Sequence, residues 1–282
     1  MASVKLTQEK PLRAFWQNQY RNLLLKPAFK LLRNRGDLPS FWTMPHDTIC
    51  REILTHGFYE RELLTGMVSL VKENGTVLDI GANIGNHTVF FSQHFERVLS
   101  FEPVPSNCLI LRANLHLNSI KNVTLVEKGL GRKATKLSIY HDDPQNTNNG
   151  LIEASDPTVS GLIDVARGDE ELQQHGIDGK IVMMKIDVEG AEPDVILGLE
   201  QTIKQHRPLI YWEAFTEETV NQSKTILQEY GYEHFYHLST NKHRKRVLNK
   251  LQNAFGKAVY LKPLDECESF DGMNVASPRP LI

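Results

Sequence analysis

Four carboxylates stand at or just after the ends of short apolar runs: Asp79 at 76–80, Glu102 after 97–101, Asp187 after 181–186 and Glu213 after 208–212. If those runs are strands of one parallel sheet, the acids converge on a single rim, because such sheets bind ligands beyond the carboxyl ends of their strands. The first acid leads into a tight loop, Asp79-Ile80-Gly81-Ala82-Asn83-Ile84-Gly85, followed by Asn86-His87-Thr88 and an amphipathic stretch through Phe91 and Phe95. Glycine serves where the backbone needs positive φ or a close approach, and a helix start offers free N–H groups to an anionic group. Glu102, at the end of the next strand, is placed to accept the two hydroxyls of a ribose.

The loop chemistry selects the cofactor. A dinucleotide fingerprint needs Gly-x-Gly-x-x-Gly, whereas this chain has Asn83 at a middle position and an acid at the strand end. That acid would repel a pyrophosphate and suits the ammonium of a methionine moiety. S-adenosylmethionine is therefore the expected cofactor. Asp79 and Gly81 are expected at its methionine end, Asn83 and Gly85 shape the loop, with Asn86 and Thr88 beside them. Glu102 and Pro103 are expected at the ribose, and Lys128 and Gly129, after the third strand, near the adenine.

Methyl transfer to oxygen is an in-line displacement in which alignment and desolvation dominate. A positioned base helps remove the hydroxyl proton. Asp187, Glu189 and Glu213 are the candidates, Asp187 first. Two acids on neighbouring strand tips are also oxygen ligands of the kind Mg²⁺ takes; the carboxylate base is the preferred reading, and no metal ligand is assigned. Glu192 reads better as a cap for the following helix. Tyr211 or Trp212 could stack on a sugar, though strand alternation buries at least one.

Strands and helices alternate from residue 76: strands 76–80, 97–101, 123–127, 181–186 and 208–212, helices 85–95, 105–117, 192–205 and 217–229. Such alternation predicts a parallel sheet covered on both faces. Thr216 and Gly231 bracket the last helix, and strands near 232–238 and 257–261 would form an antiparallel pair. The span 136–180 interrupts the rhythm with a short strand, 136–141, and a polar loop, 142–150, readable equally as a surface excursion or an acceptor lid.

Composition sets the frame. With 282 residues, 40% hydrophobic, and a net charge of −2, the chain is an ordinary globular α/β protein with no overall pull toward nucleic acid. Its three cysteines are too scattered for a disulfide framework or zinc site. With no apolar run near ~20 residues and no leader pattern, a cytoplasmic location is expected. Residues 1–35 are strongly basic, with an apolar stripe from Leu12 to Leu24. They could touch the inner face of a membrane, although packing of the stripe on the protein body is the preferred reading. Lys242–Arg246 would form a basic hairpin tip.

Asp79–Gly85, Glu102-Pro103 and Lys185-Ile186-Asp187-Val188-Glu189-Gly190-Ala191-Glu192, in that order, resemble the FkbM-type S-adenosylmethionine-dependent methyltransferases over roughly residues 55–240. The resemblance implies a class I, Rossmann-like fold: a mostly parallel seven-stranded sheet with helices on both faces, here with a helical N-terminal extension. It also implies O-methylation of a hydroxyl on a carbohydrate, glycolipid or related natural product. The chain departs from the family pattern around Asp169. The expected division is 1–54 (basic extension and connector), 55–264 (methyltransferase domain) and 265–282 (tail). The alternatives are a non-catalytic cofactor-binding or scaffold protein and a nucleic-acid methyltransferase; the second lacks an Asn-Pro-Pro-Tyr-type motif where Asp187-Val188-Glu189 stands. Oligomeric state is left open.

Overall fold

A computed structural model describes residues 38–43, 49, 52–53, 56–140, 150–153, 162–177, 179–214, 216–240, 259–267 and 273–282. The basic N-terminal stretch, the tip at 242–246 and most of the polar tract 142–150 lie outside them.

The first described helix, α1 (Arg61–Leu70), leads into β1 (Thr76–Ile80), α2 (Asn86–Ser92), β2 (Arg97–Phe101), α3 (Pro105–Leu117) and β3 (Val123–Val126). A small-sheet segment follows: β4 (Gly129–Gly131), β5 (Thr135–Tyr140), β6 (Gly150–Glu153), β7 (Leu162–Arg167) and α4 (Gly168–Gln174). The chain then returns through β8 (Ile181–Ile186), α5 (Glu192–Gly198), α6 (Glu200–His206), β9 (Leu209–Trp212) and α7 (Glu217–Glu229). The antiparallel strands β10 (His234–Thr240), β11 (Val259–Pro263) and β12 (Met273–Ser277) finish it.

The main sheet has the order β11-β10-β12-β9-β8-β1-β2-β3. Pairing is parallel from β9 to β3 and antiparallel from β9 outward through β12, β10 and β11. After β1 the chain steps one way to β2 and β3, and after β4–β7 it steps the other way from β1 to β8 and β9. The strand order therefore reverses between β1 and β8, which is where an open sheet of this kind leaves a crevice. Alternating side chains feed two cores. Leu78, Ile80, Met184 and Ile186 pack against α5, α6 and α7, and Val77, Val98, Met183 and Tyr211 pack against α1 and α2.

Several expectations need correction. The sheet has eight strands, not seven, and the segment read as a tail from 265 contains β12. All five β12 residues are buried, and it sits between β9 and β10. A short strand buried on both faces shows no period-two alternation, so nothing in Met273–Ser277 announced it. The expected single helix 192–205 is two, α5 and α6, broken at Leu199 (φ −107°, ψ 20°). At that break Gly198 packs so closely on β4 that a Cβ there would lie 2.0 Å from the Gly131 carbonyl. The span 136–180, with β4 just before it, supplies a second sheet, β4-β7-β5-β6. Asp169, at the departure from the family pattern, caps α6 by accepting from the backbone N–H groups of Gln201 and Thr202, both at 3.0 Å.

Candidate active site

The loop after β1 folds back on the neighbouring strand ends. Gly81 and Ala82 both donate N–H to the Phe101 carbonyl, at 2.9 and 3.0 Å. Gly81 has φ +80°, and a Cβ there would fall 1.8 Å from the carbonyl oxygen of Asp187. Glycine at 81 is thus what lets the β1 loop pass against the end of β8. Gly85 (φ +91°) opens α2 over the Leu111 side chain, which a Cβ would meet at 2.8 Å. Between them Asn83 is left-handed (φ 49°). Its N–H donates to Glu102 Oε2 at 2.7 Å, and its own Oδ1 is buried with no hydrogen-bond partner.

Glu102 is nearly buried. Its Oε1 accepts from the Val104 N–H (3.0 Å) and Asn107 Nδ2 (3.2 Å). Burial raises its pKa against the pull of these donors. A carboxylate has about four acceptor sites, so the Oε2 side keeps capacity beyond Asn83.

Lys185 lies on the floor of the crevice. A charge inside an apolar strand must be paired, and its Nζ is held on three sides: by Gly81 O at 2.8 Å, Asp187 Oδ2 at 3.1 Å and Asp79 Oδ1 at 3.4 Å. Burial works to remove its proton, but Asp187 and Asp79 hold its pKa above the usual lysine range. Asp79 is fully buried. Thr88 Oγ1 donates to its Oδ2 at 2.6 Å and lies 2.9 Å from Ser100 Oγ.

Asp187 and Glu213 extend the strand ends in steps: the Asp187 N–H bonds Ile80 O and the Glu213 N–H bonds Ile186 O, each at 3.0 Å. Their side chains share a hydrogen bond. Burial opposes charge on Asp187, but Lys185 overrides it and holds the carboxyl below the usual range. Burial, Asp187 and Glu60 push Glu213 up to about 9. Two adjacent carboxylates resist double ionisation, so the pair favours holding one proton, shared across that hydrogen bond.

The segment before α1 closes the opposite side. Asn86 and the Tyr59 backbone exchange two hydrogen bonds, at 2.9 and 3.0 Å. Glu60 is left-handed (φ 54°) and places Oε2 4.0 Å from His87 Nε2. That nitrogen is buried without a hydrogen-bond partner, and burial, then Lys185, lower the imidazole pKa to about 3. With Asn83 and Glu189 (φ 57°), three non-glycine residues around this rim hold left-handed backbone, which costs roughly 1–2 kcal/mol each. Such strain gathers at functional sites.

A profile of the FkbM methyltransferase domain matches residues 79–234, more than half of the 282. The chain belongs to the FkbM methyltransferase family. This family member is 26% identical to Methyltransferase 1 of Beauveria bassiana (strain ARSEF 2860) over 148 residues, 45% of this chain and 59% of the fungal protein. It is also 26% identical to Methyltransferase sdnD of Sordaria araneosa over 184 residues, 54% of this chain and 68% of that one. Among solved structures, the FkbM methyltransferase of Methylobacillus flagellatus KT aligns with 93% of this chain and 60% of its own, at 20% identity and a TM-score of 0.48.

In this FkbM-family chain the expected residues divide into rim and scaffold. Gly81, Asn83, Gly85, Glu102, Asp187 and Glu213 meet around the crevice. Pro103 packs beside Gly129, whose Cβ position lies 3.6 Å from the proline ring. Asn86 bonds the Tyr59 backbone through its side-chain amide, and Thr88 bonds Asp79 and Ser100 through its hydroxyl. Asp79 lies buried beneath the loop, 3.4 Å from Lys185. Lys128 bonds Glu171 at 2.7 Å. Glu189 is exposed, and Glu192 clamps the loop by accepting from Val188 (3.2 Å) and Gly190 (3.0 Å). Tyr211 and Trp212 are both fully buried, so neither stacks on a sugar. Sequence reasoning missed Lys185, Tyr59 and Glu60. Only Lys185 carried a signal, a lone cation in an apolar strand. Among the described residues no group of three or more His, Cys, Asp or Glu is placed to hold a metal ion, and no helix is long and apolar enough to cross a membrane.

Proposed function

We propose that this chain is an S-adenosylmethionine-dependent O-methyltransferase acting on a hydroxyl of a carbohydrate, glycolipid or related natural product. The observation that carries this reading is the acid pair Asp187–Glu213 at the switch point, set directly against the Gly81 loop. The residues present fit the cofactor. Asn83 Oδ1 is a buried acceptor without a partner, and Glu102 keeps acceptor capacity at the end of β2. Asp187, held toward its charged form by Lys185, suits a cationic ammonium and sulfonium and repels a pyrophosphate.

Glu102 and Asn83 would hold the ribose side, Pro103 and Gly129 the adenine side, and the Gly81–Gly85 loop the amino-acid side. When bound, the cofactor supplies an electrophilic methyl group on a sulfonium. The chain's own part is to align the hydroxyl and take its proton. Asp187 is the base, because Lys185 favours its charged form and it stands on the central strand tip. Glu213, whose pKa is raised, shares a proton with Asp187 and fixes its orientation; after transfer the pair holds one proton more than before. Glu189, exposed on its left-handed turn, is reserved for acceptor contact.

Calorimetric titration with S-adenosylhomocysteine, followed by labelled-methyl transfer to sugar and glycolipid acceptors with and without EDTA, tests this. Micromolar binding and transfer lost in Asp187→Asn, with binding retained, are expected. Binding without transfer to any acceptor would favour a scaffold role.

A further inference from the structure

The outer face of α3 is apolar where water would ordinarily meet polar side chains. Its inner face buries Asn107, Cys108, Leu111 and Asn114. On the other side Leu109 and Leu117 are 70% and 45% exposed, with half-buried Ala113 between them. Residues four apart form one ridge on a helix, so the three make a continuous stripe about 12 Å long at 1.5 Å per residue. Trp42, 63% exposed, lies alongside, its backbone exchanging hydrogen bonds with the Asn114 amide at 2.6 and 3.2 Å. Leu109, Leu117 and Trp42 are three of the six large apolar side chains exposed among the described residues. Single exposed leucines need no explanation, whereas a contiguous apolar patch marks an interaction site.

The path of the chain points to what covers this face. Ser40 and the Asn118 amide exchange two hydrogen bonds, both at 2.8 Å, one helical turn beyond the Asn114–Trp42 pair. Asn114 is fixed in turn by donating to Ile84 O at 2.8 Å. Residues 40–42 therefore run antiparallel to α3, and the chain before Leu38 arrives at the C-terminal end of that helix. Residues 1–37 precede Leu38, with Leu12, Phe15, Trp16, Tyr20, Leu23 and Leu24 at helical spacing. Residues 25–37 can span roughly 40 Å, several times the length of the stripe. A tether of that reach holds the segment near the face at an effective concentration on the order of millimolar. That exceeds the concentration at which a second copy meets it in dilute solution.

We propose that the outer face of α3, with Leu109, Ala113, Leu117 and Trp42, is the docking surface for the apolar stripe of this chain's own residues 12–24. A helix that is apolar all round is a buried helix, and this contact completes the burial of α3. The basic residues of the segment are left to face water. The inference is independent of the methyltransferase reading, because none of these side chains belongs to the crevice.

The test places the photocrosslinker p-benzoylphenylalanine at position 113 of the full chain and maps its products by mass spectrometry, with and without phosphatidylglycerol vesicles. Crosslinks to residues 12–24 within one chain, on a species of monomer size, are expected. Capture that bypasses that segment (a second chain, lipid, or no partner) overturns the proposal. A second measurement needs no crosslinker. In the full-length Leu109→Glu/Leu117→Glu variant both changes are at exposed positions, so the fold is retained. Trypsin cleavage after Arg13 and Arg21 tracks the undocked population and should be about tenfold faster than in the parent, equivalent to ~1.4 kcal/mol. Leu162→Glu, which adds the same charge at an exposed leucine on β7, should leave that rate unchanged. Equal rates in parent and double variant, or equal acceleration by Leu162→Glu, overturn the assignment of this face.

Discussion

Replacing Lys185 with methionine keeps the volume and the unbranched shape of the side chain and deletes only its charge and donors. Its ammonium is 2% exposed and meets Asp79, itself fully buried, at 3.4 Å. Removing one member of a buried pair leaves the other charge uncompensated, at about 3–5 kcal/mol. The Gly81 carbonyl also loses its 2.8 Å donor. Against a total stability of roughly 5–15 kcal/mol, Lys185→Met should survive as a weakened fold, with a Tm lower by on the order of 10 °C. Thr88 still donates to Asp79 at 2.6 Å, so neutralising that acid as well should recover much of the loss. The double variant Asp79→Asn/Lys185→Met is expected to be more stable than Lys185→Met alone by about 1–3 kcal/mol, the range of coupling between contacting residues. Urea denaturation of the parent, both single variants and the double variant closes the cycle. A Lys185→Met variant as stable as the parent, or a double variant no better than it, would refute the view that Lys185 is held by its charge.

Two further outcomes follow from the same geometry. Gly81→Ala and Gly190→Ala both place alanine at positive φ (+80° and +104°), but only the first meets backbone, 1.8 Å from Asp187 O, with nothing within 4 Å of the second. Gly190→Ala should therefore cost about 1–2 kcal/mol, while Gly81→Ala costs about 1–3 kcal/mol more and weakens S-adenosylhomocysteine binding; equal Tm losses would remove the clash from the account. Glu213 keeps its proton to about 9 in the fold against an ordinary 4.5, so the unfolded chain gives it up first and this contribution to stability is lost as pH rises across that window. The Tm of the parent should fall relative to Glu213→Gln over that range, and parallel Tm–pH curves would contradict a shared proton.

The parts of the fold legible in the sequence are those governed by neighbours a few residues apart. The apolar runs of β1, β2 and β8, the proline at the start of α3, the Thr216 cap and Gly231 stop of α7, and the positive-φ glycines of the loop all follow local rules of period, capping and steric freedom. The four acids at strand ends were legible too, because the sheet's polarity follows from strand–helix alternation. What each acid does was not. Asp79 reads as a ligand group from its place in the motif, and only the fold shows that it also sits 3.4 Å from the buried Lys185.

Tertiary structure decided three things that no window of sequence contains. Lys185 and Gly81 are 104 residues apart, and their contact exists only because β8 returns beside β1. Tyr59 and Asn86 meet across 27 residues, which builds the wall that carries Glu60 and His87. β12 enters between β9 and β10 because an unfilled place in the sheet accepts any short strand that can be buried on both faces. The physical reason is common to all three. Backbone conformation is set by short-range sterics and hydrogen bonding, whereas the fate of a buried charge or an unpaired strand edge depends on whichever distant group folding brings to it.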